Sequence, residues 1–394
     1  MASDQSPFFA SKIECPVCGN LNSFEIIKQG SYTESGKDTD FAPLGREWAN
    51  PDFQRHNPLL YFTGTCSNCY YTREIKSAYK NWQQDASFKT YRLPNQRKKH
   101  LNELAASRGI VKRLGGRIDY NNYPDESAII KLLLAIYDEL LLDRPVSLDV
   151  ARFYLRIAWI FREMDGETGD RRLPERITAN KMQNEISNLI ATVESIEERL
   201  PRLTNLVDRE IETLASQDRI KDDIAARVKT ALGEAKESWT DFSERVAGFQ
   251  TRFEDAIREF DKDDSESESS GVFGENNSFR EYLYEIKELW QDIPVSETDA
   301  LRLALQYYLQ AYQNSKEIKS GLPQLQASYM IGELYRRIGD DNAAMEYFKN
   351  TSKHAHEMMN RNRNDRSVFA NSQKILEMSM TQARLTKKPE SVKA

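Results

Sequence analysis

The chain has 394 residues, of which 39% are hydrophobic and 29% charged, and carries a formal net charge of −6. That length allows two or three domains and a real core, but the polarity exceeds that of one compact globule, so part of the chain is expected to be extended or solvated. The opening Met1-Ala2-Ser3-Asp4-Gln5-Ser6-Pro7 lacks the basic start and apolar core of a secretion signal. No later run approaches the roughly eighteen apolar residues of a membrane span, which points to a cytoplasmic protein without a membrane partner.

Residues 1–12 read as a flexible start. From Ile13 to about Arg73 the text is short and strand-like, with turns at Gly19-Asn20, Gly30, Ser35-Gly36 and Pro51-Asp52. Phe24–Ile27 and Leu59–Thr63 are the expected strands, each beside one of two CxxC pairs, Cys15/Cys18 and Cys66/Cys69, that hold all four cysteines. In a reducing compartment such pairs are thiolate ligands before they are disulfides. The spacing predicts a zinc ribbon over 13–74 in which Cys15, Cys18, Cys66 and Cys69 bind one tetrahedral Zn2+, with rubredoxin-like iron as the alternative. Four sulfurs leave no open coordination position, so the metal is expected to be structural. Gly19 suits the left-handed turn after the first pair, whereas Tyr70 occupies the equivalent place in the second.

Glu14-Cys15-Pro16-Val17-Cys18-Gly19, Lys37-Asp38-Thr39-Asp40-Phe41-Ala42-Pro43 and Cys66-Ser67-Asn68-Cys69-Tyr70-Tyr71 together resemble a bacterial family, domain-of-unknown-function family 2225. The resemblance implies an N-terminal CxxC…CxxC ribbon followed by tetratricopeptide-like helices. The family is also expected to have a much shorter segment where this chain carries its long insertion.

Helical spacing takes over at Ile75. A basic connector, 75–124, holds nine Lys or Arg between Lys89 and Ile118 against Glu103 alone, with a break at Gly115-Gly116. The first part of the helical array, 125–164, has one apolar helix from Ile129 to Leu141 and another, capped by Ser147, that carries Ala151, Tyr154, Ala158 and Phe161. In the last part, 297–380, Gly332 and Tyr335, the turn Gly339-Asp340-Asp341, and Ala344 with Phe348 resemble a tetratricopeptide repeat. Ala158 and Phe161 match Gly332 and Tyr335, while Ala304, Tyr308 and Ala311 match Ala344, Phe348 and Thr351, with Ser296 as a cap. Gly332 and Ala344 stand twelve residues apart but Ala158 and Ala304 stand 146 apart, so a repeat has been split by an insertion, 165–296.

Within the insertion Ile186, Val193, Leu200, Val207 and Leu214 recur every seven residues, with Leu189, Ile196 and Leu203 in a companion row. An antiparallel coiled-coil arm over 178–260 is expected, turning between Ala215 and Asp223 and kinked or restarted at Pro201. The acidic, serine-rich 261–278 reads as a disordered linker and 381–394 as a flexible tail.

No phosphate-binding glycine loop, nucleophile elbow or histidine–carboxylate set is present, and His56, His100, His354 and His356 form no metal motif. The fold class expected is therefore mainly α: a tetratricopeptide-like array with a long coiled-coil insertion and a small β zinc ribbon. The expected function is a non-enzymatic adaptor for a protein partner, with monomer and coiled-coil dimer both open. A peptide groove in the array would use polar residues such as Arg156, Glu333 and Arg337. The alternative is nucleic-acid association through the basic 89–117 segment, with Lys98, Lys99, Lys112 and Arg113 as contacts.

Overall fold

The computed structural model describes residues 6–54, 56–166, 174–217, 219–263 and 278–386. Residues 1–5 and 387–394, and all of the expected linker 261–278 except its first three residues and Ser278, lie outside that set. Two units are present, one comprising 1–173 and 267–394 and the other 174–266. The protein is mainly helical with small antiparallel strand pairs near its N-terminus.

In the first unit β1 (Phe8–Glu14) pairs with β2 (Leu21–Ile27), β3 (Tyr32–Lys37) with β4 (Pro43–Trp48), and β5 (Thr63–Thr65) with β6 (Thr72–Glu74). The first strand begins at Phe8, inside the stretch expected to be flexible. Its ring is buried against Tyr61, with centroids 4.3 Å apart, and against Phe53 at 5.2 Å, which anchors it. The expected strand over Leu59–Thr63 forms only from Thr63. Pro58 opens a 3-10 turn to Tyr61 in which the Asn57 side chain accepts from the Leu59 amide at 3.0 Å. A side-chain cap at a proline start outweighed the apolar run.

After two short π-type turns come α1 (Leu93–Ala105), α2 (Ile110–Gly115), α3 (Pro124–Leu140) and α4 (Ser147–Met164). Ser147 does not cap α4. The Leu148 amide is taken instead by Glu317 at 2.8 Å and the Val146 amide by Glu139 at 2.9 Å. Then α7 (Phe279–Lys287) leads to α8 (Glu297–Gln313), α9 (Leu322–Arg337), α10 (Asp341–Arg361) and α11 (Arg366–Thr386). Ser296 caps α8 through the Asp299 amide, and Asp340 caps α10 through that of Ala343. The last helix continues past the expected end at 380 because Gln382 and Thr386 are buried.

The helices α4 and α8 pack along each other although separated by the insertion, and with α3 and α7 they enclose one apolar core. Where α9 crosses α10, a Cβ on Gly332 would lie 2.9 Å from the Phe348 ring. Only glycine permits that approach. No helix among the described residues is long and apolar enough to cross a membrane.

The second unit is a helical hairpin of α5 (Pro174–Ser216) and α6 (Asp222–Asp263). Pro201 does not end α5, since its fixed φ is helical and it forfeits only one hydrogen bond at an exposed position. Ile186, Val193, Ile211 and Val246 are buried, but Val207 is 37%, Leu189 41% and Leu203 58% exposed. The seven-residue rows expected as one seam are thus only partly used.

Candidate metal centre

Each cysteine pair sits on a tight turn. In the first, the Cys15 amide donates to Asn20 O at 2.8 Å and the Gly19 amide to Cys15 O at 2.9 Å, with Gly19 at φ +77°. The second repeats this chain path: Cys66 N to Tyr71 O at 2.9 Å, Tyr70 N to Cys66 O at 2.9 Å, and Tyr70 at φ +61°. A side chain is strained there. Packing offsets it, because the Tyr70 ring occupies the space over Gly115, whose Cβ would come within 2.1 Å of its Cγ.

The turns bring Cys15, Cys18, Cys66 and Cys69 together, with all four sulfurs within 4.8 Å of one another, as the CxxC spacing predicts. Cys15 and Cys69 are 3.6 Å apart and Cys18 and Cys66 3.5 Å. Ligands about 2.3 Å from a tetrahedral metal stand about 3.8 Å from one another, so the cluster can hold a metal ion. Crowding makes multiple ionisation unfavourable without one. Hydrogen bonds from Cys15 and Cys69 pull the Cys66 thiol below its usual value, while the bond to Cys66, then burial, push Cys15 up to about 12. The buried Tyr79 hydroxyl faces Cys15 without a conventional partner, as suits a donor to a thiolate. Asn22 Nδ2 approaches Cys66 Sγ at 3.6 Å while its Oδ1 accepts from the Ser67 amide at 3.0 Å.

Helices hold both turns from behind. His100 on α1 bridges Cys69 O, 2.8 Å from Nε2, and Asp138 of α3, 2.5 Å from Nδ1. Burial opposes the imidazolium, but the Asp138 carboxylate outweighs it and raises the His100 pKa. Asp138 also accepts from the Thr72 amide at 2.7 Å, and Arg97 donates to Pro16 O at 3.2 Å through Nε. Sequence reasoning left His100 without a role and missed Asp138. His56 bonds the Tyr61 hydroxyl at 2.8 Å, and His354 and His356 are exposed on α10. Of the expected nucleic-acid contacts, Lys99 pairs with Asp143 at 2.9 Å and Arg113 with Glu285 at 2.5 Å, leaving Lys98 and Lys112 exposed.

A second constellation was missed entirely. The tip joining β3 to β4, Asp38-Thr39-Asp40-Phe41, inserts among α4, α8 and α9. Arg162 reaches Asp38 at 2.9 Å, Asp40 at 2.7 Å and Glu297 at 2.7 Å; Arg337 reaches Asp38 at 2.8 Å and Glu333 at 2.7 Å. Thr39 Oγ1 donates to Glu333 at 2.7 Å and accepts from Arg337 at 2.8 Å. Glu333 and Arg337, expected to line a peptide groove, instead hold this chain's own hairpin, and Arg156 lies over the Phe62 ring at 4.3 Å. The available signal was the internal match, since Arg162 follows Phe161 as Arg336 follows Tyr335.

Fold and site define a helical protein with a four-cysteine, metal-competent N-terminal region. The family described as "Uncharacterized protein conserved in bacteria (DUF2225)" matches residues 8–190 and 276–368, and the chain belongs to it. The unmatched stretch between covers most of the arm. No curated protein and no solved structure matches the chain.

Proposed function

We propose that this protein is a cytoplasmic, non-enzymatic adaptor: a zinc-stabilised ribbon fastened to tetratricopeptide-like helical hairpins that carry a coiled-coil arm for protein recruitment. Zinc is the metal this reading favours, because a closed tetrahedral four-thiolate shell suits an ion with no redox role. The observation that carries the adaptor reading is where polar and apolar side chains are spent. Glu333 and Arg337 are consumed internally by the β3–β4 tip, whereas large apolar side chains of the arm stay exposed. Such surface marks an interaction site. The basic connector supports nucleic-acid binding less, since Lys99 and Arg113 are engaged by carboxylates.

Two measurements test this. Elemental analysis should return about one zinc per chain. Cross-linking and capture from bacterial cells should retain a partner with the full chain that is lost when 178–260 is replaced by a short glycine–serine loop. An identical capture set from both proteins would refute recruitment by the arm.

A further inference from the structure

The arm is an incomplete bundle. On α5, Ile186, Val193 and Leu200 recur every seven residues and are buried or half-buried, and on α6 Leu232, Trp239, Val246 and Phe253 do the same. These rows supply the contact between the two helices. Three positions after each runs a second row. Leu189 (41% exposed) and Leu203 (58%) stand fourteen apart on α5, and Val228 (39%), Phe242 (42%) and Phe249 (45%) are spaced by fourteen and seven on α6. Apolar rows this wide belong to helices that contact two neighbours, and within this unit, among the described residues, each helix has one. The α6 row from Val228 to Phe249 runs roughly 30 Å at 1.5 Å per residue, enough for a further helix of about six turns.

Charge indicates what fits. Across α5 and α6 there are nineteen Asp and Glu against twelve Lys and Arg, an excess larger than the net −6 of the whole chain. The rest of the protein is therefore close to neutral. A second copy would bring a matching excess of negative charge to the arm as a whole, whereas a basic helix would meet its complement.

We propose that the exposed second rows of the arm, centred on Leu203 and Phe242, dock a basic amphipathic helix of a protein partner, which completes the bundle. This rests on the adaptor reading and specifies its partner. The probe is a fluorescent peptide of about 21 residues with leucine at the two core positions of each heptad and lysine elsewhere, titrated into the full chain and followed by anisotropy. Controls are a scrambled peptide of the same composition and a peptide with glutamate in place of lysine.

Binding of the leucine–lysine helix is expected, roughly tenfold weaker for each of Leu203→Asp and Phe242→Asp, the loss of one interface anchor. Both sites are exposed, so the hairpin should fold; circular dichroism checks this. Affinity should fall with added salt. Equal binding of the scrambled peptide, indifference to both substitutions, or equal binding of the glutamate peptide would overturn the proposal. So would a stable dimer of the free chain that Leu203→Asp dissociates, because a second copy would then fill the seam. If the basic helix fails while arm-dependent capture persists, this inference falls and the adaptor reading stands; if capture is arm-independent, that reading has failed on its own test.

Discussion

Replacing Arg162 by methionine tests whether the β3–β4 tip is an integral strut of the helical unit. The Arg162 side chain is only 5% exposed, and its guanidinium contacts the carboxylates of Asp38, Asp40 and Glu297. Methionine keeps much of the apolar stem and withdraws the charge, so Asp38 and Asp40 retain the Arg337 guanidinium, at 2.8 and 3.6 Å. Removing one member of a buried ion pair costs about 3–5 kcal/mol, since the other is left uncompensated. At about 2–4 °C per kcal/mol, calorimetry of the full chain should show the transition of this unit lowered by roughly 10 °C. Arg152→Met is the contrast: its partner Asp149 is 3.7 Å away and both side chains are about half exposed, so a change of only about 0–1 kcal/mol is expected.

The sign of the coupling can be checked in two ways. Asp40→Asn introduced into Arg162→Met removes one of the stranded charges, so the double variant should recover about 1 kcal/mol or more relative to additivity. Burial alone would raise the Asp40 carboxyl, yet Arg337 and Arg162 overcome it and hold it below the usual carboxylate range. A depressed folded-state pKa adds stability above the unfolded value of about 3.9 and loses it as pH falls further, so wild type and Arg162→Met should converge in acid. A midpoint for Arg162→Met within about 2 °C of wild type at neutral pH would refute the strut.

Three further outcomes are expected. Cys66→Ser should abolish metal binding and, because His100 and Arg97 of α1 grip the cysteine turns, hydrogen exchange should rise across Leu93–Ala105 while α8–α11 stay protected. Gly115→Ala should destabilise by about 1–3 kcal/mol through its clash with Tyr70, and Tyr70→Gly in the same chain should restore much of this, because glycine accepts the positive φ and removes the ring. Lys131 donates to Leu60 O, and burial pushes its pKa down to about 7, so the folded protein binds fewer protons than the unfolded chain between about pH 7 and 10.4 and is stabilised by rising pH in that range. Lys131→Met should therefore compare best with wild type below pH 7 and lose that advantage by pH 10.4, as read from melting midpoints across pH.

What could be read from the chain and what could not separate along one physical line. The cysteine cluster is legible because each pair is local, and the helix faces because apolar spacing repeats every turn. Even the association of α4 with α8 has a local trace, in the matching spacings of Ala158 with Phe161 and Ala304 with Tyr308. By contrast the contact of Asp38 with Arg337 joins residues 299 apart and has no period. A buried ion pair reads in sequence like two surface charges, and His100 beside Asp138 reads like solvated polar text. The Leu59–Thr63 error has the same root, since apolar content alone cannot distinguish a strand from a capped turn.

That division changes the meaning of the Lys37–Pro43 segment. It lies between the cysteine pairs, where a ribbon needs only a connecting loop, yet Asp38 and Asp40 are buried by arginines from α4 and α9. The cysteine turns are meanwhile held by α1 and α3 through Arg97, His100 and Asp138. The N-terminal region is therefore fastened to the helices at two places by different chemistry. With α4 and α8 packed along each other and α7 supplying part of their core, a long hairpin can be carried in the stretch between α4 and α7 without interrupting that core.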